Sequence, residues 1–282
     1  MKLPLPLNLR DLEEELEKRL SQIPTELNEY GFDPFGFQPT YLRRLLLLGA
    51  IMYRYYFRTE THGIERVPTG RVLFIANHAG NTIPWDGATL MMSLLLEAQP
   101  PRFPRGMVEF YLPKIPWWNE LIYRSGSVVG TPENCVRLLE NEEAIMVFPE
   151  GTRGFVKPYR KAYQLQRFGT GFARLALRTN TPILPVGIVG SEEQSPGLAD
   201  SKLLGRLVGA PAFPITVGFP WLGPLGYLPL PVKFRIRFGE PMYLEGHHQA
   251  EDTVIVEQVG RVRDQISLLL EEGLAERQSW FS

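Results

Sequence analysis

Val72-Leu73-Phe74-Ile75-Ala76-Asn77-His78, followed by Ala79-Gly80-Asn81-Thr82-Ile83-Pro84-Trp85-Asp86, is the stretch on which the reading of this chain turns. Its apolar run, with Val and Ile in it, predicts a buried strand. The run stops at a polar Asn-His pair, a loop with Gly80 and Pro84 follows, and Asp86 opens a new apolar segment over 87–97 that reads as a helix. Open α/β sheets keep their chemistry where strand ends meet helix starts. His78 is one of only four histidines. A neutral imidazole can take a proton from a hydroxyl, and a carboxylate such as Asp86 can fix its tautomer and stabilise the imidazolium. Asp86 equally suits a helix cap, so this pair alone leaves both readings open.

Outward from that unit the chain alternates. Strands are expected at 71–76, 105–109, 127–129, 144–148 and 183–189, and helices at 87–97, 116–123, 132–140 and 168–178. Thr131 is placed to cap the helix that Pro132 begins. This rhythm predicts an α/β fold, a mostly parallel central sheet flanked by helices. Residues 232–238 alternate Lys233, Arg235 and Arg237 with apolar residues, a strand with one wet or ligand-facing side. Over 250–274, Ile255, Val259, Val262, Ile266 and Leu269 recur at helical spacing, so an amphipathic helix docks on the core. Before the alternation lie a short charged helix at 11–21, an irregular connector at 24–40 and a helix at 41–58 with Arg and Tyr at its ends. The expected organisation is a helical, membrane-interface segment over 1–58 and an α/β domain over 59–282.

Composition narrows the function classes. The 282 residues are 44% hydrophobic with a net charge of −1, which gives no general nucleic-acid surface. Cys135 is the sole cysteine, so neither an internal disulfide nor a cysteine zinc cluster is possible. The start, Met1-Lys2-Leu3-Pro4-Leu5-Pro6, lacks the apolar core and cleavage pattern of a secretory signal. No run reaches the ~18–20 apolar residues of a spanning helix. Two stretches are nevertheless lipid-like. Residues 45–53 are apolar and flanked by arginines, and 207–232 hold 26 residues with six prolines and no charge.

A second strand runs into a polar glycine loop at Phe148-Pro149-Glu150-Gly151-Thr152-Arg153-Gly154. Its N–H groups and the Arg153 guanidinium suit a phosphate or carboxylate. The alternative is a tight turn with Glu150 and Arg153 as a surface ion pair. From 151 to 180 there are seven basic residues (Arg153, Lys157, Arg160, Lys161, Arg167, Arg174 and Arg178) and no acidic one. Such a field attracts an anionic headgroup or the phosphates of a nucleotide-like donor. No Walker loop, dinucleotide fingerprint or Gly-x-Ser-x-Gly elbow occurs, and His247-His248 reads as solvated loop.

Taken in order, Asn77-His78 with a downstream Asp, then Phe148–Arg153, then Pro182-Ile183-Leu184-Pro185-Val186, resemble the glycerolipid acyltransferases, whose reference members act on lysophosphatidate. The resemblance spans roughly 60–245. It implies transfer of a fatty acyl group from a thioester of coenzyme A or acyl carrier protein, as co-substrate, to a glycerolipid hydroxyl, with no cofactor and no metal. It makes His78 the base and Asp86 its partner. Asn77, Glu150, Gly151, Thr152, Arg153, Lys157 and Arg160 become substrate-binding. A serine acyl-enzyme is not expected.

The sequence departs from the family twice. Seven residues separate His78 from Asp86 where the family has four, and 126–131 lack the arginine that helps hold the acceptor. The longer spacing resembles a branch near the transmembrane-protein-68 and diacylglycerol-acyltransferase-2 type enzymes, whose acceptors include neutral glycerides and alcohols. Peripheral or monotopic membrane association on the cytoplasmic face is implied; the apolar stretches 45–53 and 207–232 would form its membrane-facing rim, or else a buried helix packed on the domain and a long buried loop covering the sheet. A silent lipid-binding protein or a lipid hydrolase on the same scaffold are the other readings.

Overall fold

The computed structural model describes residues 8–114, 118–207, 209 and 212–282. The N-terminal hexapeptide and Pro116, read above as signal-free and as a helix start, fall outside them. In chain order the elements are α1 (Leu9–Leu20), α2 (Pro39–Ile51), β1 (Glu60–His62), β2 (Val72–Ala76), α3 (Trp85–Leu96), β3 (Arg105–Val108), α4 (Trp118–Arg124), β4 (Val128–Val129) and α5 (Pro132–Glu140). There follow β5 (Ala144–Val147), the single turn α6 (Thr152–Phe155), α7 (Gly171–Thr179), β6 (Ile183–Val189), β7 (Gly197–Ser201), α8 (Lys202–Leu207), β8 (Phe213–Thr216), β9 (Arg235–Phe238) and α9 (Asp252–Ala275).

Seven strands form one sheet in the order β1-β9-β6-β2-β5-β3-β4. Strand β2 sits in its middle, parallel to β5 and to β6, and every one of its residues is buried. Because side chains alternate along a strand, Leu73 and Ile75 face the cluster built from α5, α7 and α9. Val72, Phe74 and Ala76 face the opposite cluster with Leu90 and Leu94 of α3. Helices α1 and α2 cover α3 through Leu12, Leu16, Leu42 and Leu46. The five apolar positions read as the docking face of the last helix are all buried in α9.

Strand β9 runs antiparallel to β6. Residues 190–234 between them form β7, α8 and β8 outside this sheet before the chain returns beside β6. The cations of this segment, on the side expected to be wet or ligand-facing, have partners within the protein. Lys233 pairs with Glu60, Arg235 is buried beside Glu60 and the Ser282 carbonyl, and Arg237 pairs with Glu272 and Glu276. The uncharged stretch supplies β8, which pairs with β7 as a separate two-stranded sheet. Among the described residues no helix is long and apolar enough to cross a membrane.

Candidate active site

The strand order brings the C-terminal ends of β6, β2, β5 and β3 side by side, so four loops meet on one edge of the sheet. The loop after β2 carries His78. Gly80 (φ +130°) and Asn81 (φ +59°) turn it back, and α3 begins at Trp85, which puts Asp86 in its first turn. The long spacing is thereby absorbed. Asp86 Oδ2 lies 2.7 Å from His78 Nδ1 and accepts the Ala79 N–H at 2.8 Å, while Oδ1 accepts the Gly87 N–H at 2.8 Å. One fully buried carboxylate thus serves both imidazole and helix start. With Nδ1 held against Asp86, Nε2 is the free nitrogen; among the described residues it has no hydrogen-bond partner. The imidazole stacks on Phe148 at 4.3 Å between ring centres and lies 4.8 Å from Phe155. Its side chain is 16% exposed, so it is shielded from bulk water without being sealed.

Glu150 does not form a surface pair with Arg153. Its carboxylate is buried, accepting the His78 N–H at 2.9 Å on Oε1 and the Gln166 N–H at 2.6 Å on Oε2. It therefore holds the backbone of the histidine loop. Lys157 is also internal, its ammonium 2.7 Å from Glu192 and 3.9 Å from Glu150. Asn77 is fully buried and its amide is spent on both the N–H (2.8 Å) and the carbonyl (3.0 Å) of Ile188 in β6. These three were expected to bind substrate; in the structure their side chains are buried and bonded to groups of the protein itself. Arg153 and Arg160 are exposed, and Gly151 and Thr152 are half-buried. Gly151 adopts φ +57°, ψ −147°, a region reserved for glycine. A Cβ there would also stand 2.8 Å from Glu109 Oε1.

The loop after β6, Gly190-Ser191-Glu192-Glu193-Gln194-Ser195, was missed. It is wholly buried despite its polarity. Its signal was available: again an apolar strand ends in a glycine and polar residues on the same sheet edge. Burial raises the Glu192 carboxyl to about 7, against the opposing pull of Lys157. Glu193 accepts the Tyr163 hydroxyl at 2.5 Å and pairs with Arg277. Gln194 donates to the Gly80 carbonyl at 2.6 Å, and the Asn81 amide donates to the Ser195 carbonyl at 2.9 Å. The histidine loop is therefore clamped from both neighbouring strands. Of the basic run at 151–180, Lys157 is neutralised internally and Arg174 is tied to Asp252 and the His248 carbonyl. Cys135 is buried, its thiol raised to about 11 by desolvation, which disfavours the reactive thiolate. No group of acidic, His and Cys side chains among the described residues could hold a metal.

A family model described as Acyltransferase matches residues 58–189. An uncharacterized protein of Mycobacterium leprae is 41% identical over 262 residues, covering 90% of this chain and 70% of that protein. A mouse protein described as a DGAT1/2-independent enzyme synthesizing storage lipids is 26% identical over 193 residues, covering 68% of this chain and 55% of its own length. Among solved structures, the 1-acyl-sn-glycerophosphate acyltransferase PlsC of Thermotoga maritima superposes with a TM-score of 0.54 at 21% identity. That match covers 84% of this chain and 81% of that one, and it shows the same fold.

Proposed function

Since the chain belongs to the acyltransferase family, we propose that it moves a fatty acyl group from a thioester to a glycerolipid hydroxyl, with His78 as general base. The observation that carries this is Nδ1 of His78 held by a buried Asp86, with Nε2 left free at the meeting point of the loops. In the reaction His78 Nε2 takes the acceptor's hydroxyl proton as its oxygen attacks the thioester carbonyl. The tetrahedral intermediate collapses, the C–S bond breaks, and the imidazolium returns the proton to the departing thiolate. Asp86 stabilises the imidazolium between those steps. Phe148 and Phe155 keep competing water from the ring. Acyl-CoA or acyl-acyl carrier protein is the donor, consumed as co-substrate, and no resident cofactor is needed. Thr152 and the exposed Arg153 and Arg160 face the acceptor or the donor's phosphates. Such an acceptor resides in a bilayer, so the protein works as a peripheral or monotopic membrane enzyme on the cytoplasmic face.

The acceptor's charge has two readings. Lysophosphatidate suits Arg153 and the basic run. A neutral monoglyceride or long-chain alcohol is favoured by the exposed Glu109 carboxylate beside Gly151, whose charge would repel a phosphate brought to that loop. Radiolabelled acyl-CoA with a panel of lysolipids, monoglycerides and alcohols tests the proposal. New ester is expected. Free fatty acid alone would make the protein a hydrolase, and absence of turnover with every acceptor would leave only a lipid-binding role.

A further inference from the structure

Between β6 and β9 the chain leaves the sheet as a lobe of β7, α8, β8 and a 3₁₀ turn at Gly223–Tyr227. The lobe has a small core of its own. Phe219 stacks on Tyr227 at 4.6 Å, and Phe213 meets both edge-on. The Thr216 hydroxyl accepts the Phe219 N–H and donates to the Gly226 carbonyl. Gly218 and Gly226 touch so closely that a Cβ on Gly226 would lie 2.4 Å from the Gly218 carbonyl carbon. Held in this way, the lobe presents its remaining apolar side chains outward. Trp221 is 76% exposed, Leu225 68%, Leu222 65% and Leu228 64%, with Leu203 of α8 at 70% and Val217 at 54%. So many exposed large apolar side chains on one lobe mark an interaction surface.

Three observations say what covers it. The first is charge. The lobe's one acid, Asp200, is exposed in β7; no other occurs before Glu240, while Lys202 and Arg206 are exposed on α8, so the apolar tip has a net cationic flank. That is the composition of a segment that enters an anionic interface. The second is the side-chain set: Leu and Trp with no acid among them match a hydrocarbon boundary, where an indole is preferred. The third is where the lobe is rooted. Ser195 and Gly197 at its start contact Asn81, and Leu230 near its end donates to the Gln194 carbonyl at 2.7 Å. Gln194 in turn holds Gly80, two residues from His78. At the far side, the Tyr56 hydroxyl donates to the Pro229 carbonyl at 2.6 Å, joining the lobe to the turn that follows α2.

We infer that the lobe inserts its Trp221–Leu228 tip into an anionic lipid surface and so sets His78 at the interface from which a lipid acceptor enters. This rests on the proposed function for the acceptor, but not for the insertion itself. The test is flotation of the full chain with vesicles of equal parts phosphatidylcholine and phosphatidylglycerol, comparing wild type with Trp221→Asp/Leu222→Asp. Each replaced side chain should lower partitioning about tenfold, the factor that corresponds to burying one large apolar group. The double variant should therefore lose about a hundredfold, with an unchanged melting temperature. A second pair, Leu225→Ser/Leu228→Ser, covers the case in which the aspartates disturb the lobe itself.

Wild-type protein that fails to float, or variants that float as well as wild type, would overturn the inference. So would a dimer, seen by light scattering, that the variants split while vesicle binding persists, because the surface would then be a contact between copies. Acyl transfer by wild type to a water-soluble short-chain acceptor reports the enzymatic reading separately. Transfer with variant-insensitive flotation removes the lobe's role alone. Variant-sensitive flotation without any transfer removes the enzymatic reading alone.

Discussion

Replacing Asp86 by Asn separates the two tasks this carboxylate performs. Its Oδ2 serves His78 Nδ1 and the Ala79 N–H, and its Oδ1 serves the Gly87 N–H. An amide has one oxygen, so either orientation leaves a backbone N–H facing an NH₂ group. One lost acceptor at a buried site costs about 1–3 kcal/mol, which for a chain of this size lowers Tm by roughly 2–10 °C. Catalysis loses more. The imidazolium that forms during proton transfer would no longer face a negative charge. At a charge separation of about 4 Å and an effective dielectric of ~20 that attraction is worth about 4 kcal/mol, or roughly a thousandfold in rate. If the NH₂ turns to Nδ1, the tautomer reverses as well and Nε2 can no longer accept a proton. The assay is steady-state transfer from labelled acyl-CoA at a temperature where the variant is folded by circular dichroism. A fall in kcat of less than about tenfold, with the Tm loss present, would show that Asp86 is only a brace for the loop.

Three further outcomes follow from the same geometry. Arg153→Ala should raise KM for lysophosphatidate by about tenfold or more while leaving KM for a monoglyceride unchanged, the mark of a ground-state contact to an anion; equal effects on both acceptors would place Arg153 elsewhere. Gly151→Ala should destabilise the fold by about 1–3 kcal/mol because its backbone, at φ +57° and ψ −147°, lies in a region closed to Ala; an unchanged urea midpoint would contradict this. Glu192 is raised from 4.5 to about 7 by burial. Between those values the unfolded chain releases the proton that the folded one keeps, so this group makes stability fall as pH rises and level off above about 7. In Glu192→Gln that decline should vanish, so the variant-minus-wild-type Tm difference should grow across this window; a pH-independent difference would remove the assignment.

What the sequence disclosed and what it hid have a common cause. The β2 strand was legible because five apolar residues end at a polar pair, and Asp86 because a carboxylate at a helix start is chemically conspicuous. Their contact depended on the path of residues 79–85, which positive φ at Gly80 and Asn81 decides. Glu150, Lys157 and Asn77 were visible as residues but not as to direction. Polar side chains in loops are usually solvated, and only the packing of three strand ends shows that these are buried and paired. Glu192, Glu193 and Gln194 were hidden for the same reason. The β7–β8 sheet was obscured by prolines, which interrupt the alternation that reveals a strand. The cations of β9 looked wet or ligand-facing because their partners, Glu60, Glu272 and Glu276, are remote in sequence.

The central claim is that one imidazole moves the acceptor's proton. Single-turnover acyl transfer by His78→Ala, beside wild type, addresses it most directly. The account expects the rate of ester formation to fall by about 10²–10⁴-fold with melting temperature and donor binding retained. Ester formation at a near-wild-type rate in that variant would contradict it.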